Sequence, residues 1–198
     1  MASPFDRLME TIRPHLPGAV DQAIRQELFP VCKTFFEESN VWTEDLDFTL
    51  PANTVTTEVL PYTGKIVRLI SVTKDRAPVY NVTMTDTENG IIQFPYQSTA
   101  AGNYVCTVAL TVSDPVSRDA FPIVPVDLVS KYWQTLMWGI LSNMMAQPKK
   151  PYTDVSLASY YANKFNGSSS RAMQAQATGN TYGSQAWRFP QSFNNRRR

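Results

Sequence analysis

The sequence predicts an α+β fold: helices towards both ends of the chain, an antiparallel β-sheet or small sandwich inserted between them, and an extended C-terminal arm. Three observations predict it. Apolar residues recur at three and four positions up to Phe36 and again from Val129, which is the helical period. Between Trp42 and Ser113 the period falls to two, in short runs broken by turn residues, which is the mark of antiparallel strands. After Met173 there is no Leu, Ile, Val or Met, yet Tyr182, Trp187, Phe189 and Phe193 are spaced along the segment and Arg196, Arg197 and Arg198 close it.

The first helix is read from Ser3 and Pro4, a cap followed by a first-turn proline, through Phe5, Leu8, Met9 and Ile12 to Pro14. A second follows the His15–Gly18 turn, with Val20, Ala23, Ile24, Leu28, Val31, Cys32, Phe35 and Phe36 on one face. Pro30 sits within that face, where it either kinks the helix or starts it afresh, since proline lacks one backbone donor and clashes with the preceding turn. Strands are expected around Leu46–Leu50 and over Thr54–Leu60, Lys65–Thr73, Val79–Met84, Gly90–Phe94 and Asn103–Ser113. Their turns are Pro61–Gly64, Lys74–Pro78 and Glu88–Gly90, with Asn89–Gly90 the best hairpin signal. After a proline-bearing return at Pro115–Pro125, Asp127 is expected to cap a helix whose apolar residues, from Val129 to Met145, cover more than half of its circumference. Gln147–Pro151 breaks that helix. Asp154 caps the last one, with a stripe of Leu157, Ala158, Tyr161, Ala162, Phe165 and Ala172 that fades through Gly167–Ser170 towards the arm from Gly179.

Composition narrows the function. With 43% hydrophobic residues a core is within reach, while 18% charged residues is below the globular norm and points to a surface covered by other chains. A formal charge of +1, with Arg196–Arg198 as the dense basic cluster, argues against nucleic-acid binding along the whole chain. Cys32 and Cys106 lie far apart and form neither a disulfide framework nor a metal spacing, so both read as buried thiols. Met1–Pro14 carries Asp6, Arg7, Glu10 and Arg13 through its apolar pattern, unlike a secretory leader. No stretch approaches the ~20 apolar residues that span a bilayer, so a soluble chain without membrane partners is expected.

Catalytic signatures are sparse. The single histidine, His15, stands in a turn, and a Cys-His dyad with Cys32 or Cys106 has no supporting local motif. No glycine-rich phosphate loop or zinc spacing occurs, and the acids Glu37, Glu38, Glu44, Asp45 and Asp47 lack the alternation of a calcium loop. Neither cofactor nor enzymatic activity is expected. Binding is what remains. A segment without aliphatic residues gains too little from burial to order itself, whereas aromatics and arginines anchor interfaces well. A tail without a role is the plain alternative, and four aromatics in so polar a segment argue against it.

The segments "LPGAVDQAIRQELFPVCKTFFEESNVW" (Leu16–Trp42), "TLPANTVTTEVLPYTGKIVRLISVT" (Thr49–Thr73), "YVCTVALTVSDPVSRDAFPIVPVDLVSKYWQTLMWGILSNMMAQPKKPYTD" (Tyr104–Asp154) and "LASYYANKFN" (Leu157–Asn166), with the arginine-ended tail, resemble head-to-tail adaptor proteins of tailed bacteriophages, particularly short-tailed ones. These are also called connector or head-completion proteins. The most telling parts are Val31, Cys32, Phe35 and Phe36 before Trp42, and the turn Gln147–Tyr152; the chain departs from the pattern at Pro30.

The resemblance implies an antiparallel helical bundle from residues 1–40 and 116–178, a β region at 41–115, and a partner-binding arm at 179–198. It implies a structural virion protein, assembled in the host cytoplasm and placed in the neck between head and tail as a ring, dodecameric in the family. Such a ring seals the portal after packaging, docks the tail and lines the DNA ejection channel. Its partners are other copies of itself, the portal protein, a tail nozzle or tube protein and, transiently, DNA. Portal binding is expected of Tyr182, Trp187, Arg188, Phe189, Phe193, Arg196, Arg197 and Arg198, and core or oligomer packing of Trp133, Leu136, Ile140 and Met144. The alternative is a tail-tube or tail-completion protein of the same virion, which binds tail rather than portal.

Overall fold

The computed structural model describes residues 4–97, 101–115, 117 and 120–179. The fold is α+β. In chain order the described residues form α1 (Pro4–Ile12), a short 3-10 turn (Arg13–His15), α2 (Asp21–Ser39), β1 (Thr43–Leu50), β2 (Thr56–Glu58), β3 (Lys65–Lys74), β4 (Ala77–Pro78), β5 (Thr83–Asp86), β6 (Ile91–Gln93), β7 (Gly102–Thr111), α3 (Val126–Met145) and α4 (Val155–Ala177).

The helices form where the apolar spacing places them. Phe5, Leu8, Met9 and Ile12 of α1 are all buried, and Phe5 stacks on Phe121 at 5.5 Å in the segment leading to α3. On α2 the buried residues are Ile24, Leu28, Val31, Cys32, Phe35, Phe36 and Ser39. Pro30 is a correction. It lies on the exposed side rather than within the apolar face, and α2 runs through it as one helix. The carbonyl deprived of a donor is that of Gln26, itself an exposed residue, so water can satisfy it. Asn40 ends α2 in the left-handed conformation, with its N–H donating to the Phe36 carbonyl.

One helix expectation changes at a cap and two along α4. Pro125, not Asp127, is the N-cap of α3, its carbonyl accepting from the Leu128 and Val129 N–H groups. Asp127 stands inside the first turn, where a carboxylate still favours the positive end of the helix dipole. Asp154 does cap α4, accepting from the Leu157 N–H at 2.9 Å. But α4 does not fade at Gly167–Ser170; it continues to Ala177 because Phe165 and Ala172 are buried on either side and the Ser168 and Thr135 hydroxyls hydrogen-bond at 2.6 Å. Leu157, expected in the buried stripe, is 43% exposed.

Contacts fix the helix directions. Glu27, Val31 and Phe35 of α2 meet Asn143, Gly139 and Tyr132 of α3 in that order, so the two run antiparallel. Gly139 and Thr135 of α3 meet Phe165 and Ser168 of α4, again antiparallel. Helix α3 therefore lies antiparallel to both α2 and α4, and α1 packs on it as well.

All strand pairs are antiparallel. One sheet has the order β1-β7-β3-β4 and the other β2-β6-β5. Residues alternate in face along β7. Thr111, on one face, donates through Oγ1 to the Lys33 carbonyl of α2 at 3.4 Å. On the other face Tyr104 forms an aromatic group with Phe48 of β1 and Phe94 at the end of β6, at 5.6 and 5.2 Å. The four-stranded sheet thus lies between α2 and the smaller sheet. Gly90 closes the β5–β6 turn at φ 64°, where an added Cβ would lie 1.8 Å from the Val59 carbonyl oxygen. The expected strand Val79–Met84 is corrected. Pro78 ends β4, residues 79–82 connect, and β5 reaches Asp86, since the chain must pass from one sheet to the other there.

Candidate interaction surfaces

Helix α3 is largely consumed by the chain's own core. Leu136, Ile140 and Met144 have no exposed surface, being enclosed where α1, α2 and α4 meet α3. Trp133 is half-buried, as are Met137 and Trp138. Tyr132 departs from helical geometry at φ −111° and ψ 16°, and its ring lies 5.0 Å from Phe35. What α3 can offer a neighbour is therefore Trp133, Met137 and Trp138, while Leu136, Ile140 and Met144 hold the chain together.

The arm residues Tyr182, Trp187, Arg188, Phe189, Phe193, Arg196, Arg197 and Arg198 lie outside the described residues. Its point of departure is described. Gly179 follows α4 at φ 64°, with its N–H donating to the Gln176 carbonyl, which ends the helix.

A further surface stands on the β region. Tyr80 and Tyr96 are 74% and 79% exposed, and they border a groove of about 490 Å³ whose other walls include Leu50, Pro78, Phe94 and Tyr104. A second groove, of about 280 Å³, runs between Leu69–Val72 and Pro78–Val82 and shares Pro78 and Tyr80 with the first. Neither groove has a charged lining residue. Exposed tyrosines beside an uncharged groove suit a protein partner, since each offers a stiff apolar body and one polar tip. The sequence reading missed this surface; the signals for it were the neighbours Pro78 to Tyr80 and Pro95-Tyr96, where proline ends strand pairing beside an aromatic.

The reactive groups are sealed or scattered. Cys32 is fully buried and its thiol is pushed up to about 12 by that burial. Burial also pushes the Cys106 thiol up, to about 11, helped by the negative charges of Asp45 and Asp47. A cysteine nucleophile needs partial exposure and a positive neighbourhood; both thiols are buried, and Cys106 has acidic neighbours. His15 is exposed in the 3-10 turn. Among the described residues no three His, Cys, Asp or Glu side chains are grouped so as to hold a metal ion, and no helix is long and apolar enough to cross a membrane.

Comparison of the sequence with protein-family models and with curated proteins found no match in either.

Proposed function

We propose that the chain is a structural virion protein of a tailed bacteriophage, forming a ring between the capsid portal and the tail. The observation that carries this reading is the division of labour along the chain. The helices bury Leu28, Phe35, Leu136, Ile140, Met144 and Phe165 in one core and leave Leu157, Tyr160 and Met173 of α4 exposed, the β region keeps Tyr80 and Tyr96 exposed, and an aromatic, arginine-ended segment follows α4 in the sequence. The ordered resemblance of Leu16–Asn166 to head-to-tail adaptors supports the same reading.

In this role the protein performs no chemistry. Residues 180–198 can extend about 63–68 Å at ~3.3–3.6 Å per residue, enough to reach well into an adjoining ring. Trp187, Phe189 and Phe193 serve as apolar anchors in the portal, and Arg188 with Arg196–Arg198 pair with its carboxylates. The β-region groove faces the tail. Weak single contacts suffice, because subunits joined in one ring engage the portal at high effective concentration once the first arm has docked.

Deleting residues 180–198 from the full chain tests the assignment. Loss of portal capture with retained nozzle binding is the expected result. Retained portal capture with lost tail binding overturns it in favour of a tail-completion role.

A further inference from the structure

The four-stranded sheet has two open edges, and they carry opposite charge. β1 ends the order β1-β7-β3-β4, and among the described residues its strand partner is β7 alone, in unbroken register over eight residues. At the other end β4 is two residues long and pairs with Thr73 and Lys74, and Pro78–Val82 flanks Leu69–Val72 across the second groove, so among the described residues the open part of the β3 edge is Lys65–Arg68. An unpaired edge presents a row of donors and acceptors that another chain can use.

The charges share one face. Alternation along β7 puts Val105, Thr107, Ala109 and Thr111 together. Beside them stand Asp47, Asp45 and Thr43 on β1, and Thr73, Ser71, Arg68 and Lys65 on β3. Asp45, Asp47, Lys65 and Arg68 are all exposed. Thr107 donates to Asp45 Oδ1 at 2.6 Å, Arg68 Nη2 donates to the Glu37 carbonyl at 3.1 Å, and Lys65 pairs with Asp114 at 2.6 Å. The first two of these bonds neutralise nothing. Asp45, Asp47 and Arg68 have no ion pair among the described residues. Like charges on both edges would keep copies of the sheet apart. Opposite charges do the reverse.

We propose that the acidic β1 edge of one copy lies along the basic β3 edge of the next, joining copies of this chain head to tail. β1 and β3 each run antiparallel to β7 and hence parallel to one another, so two copies turned about an axis along the strands bring the edges together in parallel. A contact between two different patches leaves none unused when it closes as a ring. The register of β3 slips between Ile66 and Arg68 and between Leu69 and Ser71, which limits backbone pairing along it. The side-chain charges therefore carry much of the contact, which is weak singly and sensitive to salt. The edge contact names the surface that builds the ring proposed above, and rests on that reading for its closure.

Two full-length variants test it: Asp45→Lys/Asp47→Lys, with both edges basic, and Lys65→Glu/Arg68→Glu, with both edges acidic. Sedimentation is followed at about 30 mM and about 0.5 M salt. The wild-type chain associates at low salt and less at high salt, each variant alone associates at least about tenfold more weakly, and a 1:1 mixture recovers because every acidic edge again meets a basic one. Recovery on mixing also shows that both variants are folded. If a double variant unfolds, Asp47→Lys and Arg68→Glu replace the pairs. A wild-type chain that stays monomeric at low salt, variants that associate as it does, or a mixture without recovery overturns the proposal. Portal capture by the wild-type chain is measured beside it: capture with no mixing effect removes the edge contact alone, and recovery on mixing without capture removes the portal reading alone.

Discussion

Gly139 of α3 lies directly beneath the ring of Phe165 of α4: a Cβ at position 139 would stand 3.0 Å from Phe165 Cδ2 and Cε2, and 2.6 Å from Val31 Cγ1 of α2. The absence of a side chain there lets three helices approach at one point. Gly139→Ala should therefore destabilise the fold by about 1–3 kcal/mol despite the better helix propensity of alanine. Gly167 on α4 has nothing within 4 Å of the same position, so Gly167→Ala should stabilise by about 0.5–1 kcal/mol. Urea midpoints of the two variants, moving in opposite directions, check the pair.

Asp75 and Arg76 form the two-residue turn between β3 and β4, with φ of 50° and 68°. Aspartate tolerates the left-handed region, while arginine is strained in it. Arg76→Gly should raise stability by about 0.5–1 kcal/mol, read as an increase in melting temperature with unchanged circular dichroism.

Three carboxylates, Asp114 exposed and Asp21 and Asp86 half-buried, are held below the usual range by their partners: Asp86 by the Asn89 side chain and turn N–H groups, Asp21 by Arg13, and Asp114 by Lys65. A carboxyl whose folded pKa is depressed contributes stability that is present above its unfolded pKa, about 3.9, and is lost as pH falls through the lower folded value. Stability should thus decline from about pH 4 downward, and Asp86→Ala should make that decline shallower. An acid titration of the variant as steep as that of the wild type would contradict the assignment.

Cys32 and Cys106 should resist an aromatic disulfide reagent in the folded protein at pH 8 and react together on unfolding, since each thiol is buried and pushed up, to about 12 and about 11. Rapid labelling of either thiol in the native state would reopen the question of a nucleophile.

The residues show why some of this was legible in the sequence and some was not. Phe5, Leu8, Met9 and Ile12 announce α1, and Asp154 announces α4, because helical period and side-chain capping are local properties. By pattern α4 weakens at Gly167–Ser170, where burial of Phe165 and Ala172 and the Thr135–Ser168 bond override weak propensity. Pro30 falls among the apolar residues of α2 by sequence, yet only the packing of α2 against α3 and α4 decides which side a proline occupies. The stripe of Leu136, Ile140 and Met144 fits an internal core and an interface between copies equally well by pattern, and the fold uses it internally. The Tyr80 and Tyr96 groove is not legible in the sequence because it is made by loops from separate strands, which no window of sequence joins.

The central claim is tested most directly by a cryo-EM map of the purified chain mixed with the portal protein of its virion. The account predicts a ring of this chain beneath the portal, with density for Trp187, Phe189 and Phe193 seated in portal grooves. Absence of any complex with the portal, with the chain bound instead to the tail nozzle, would contradict it.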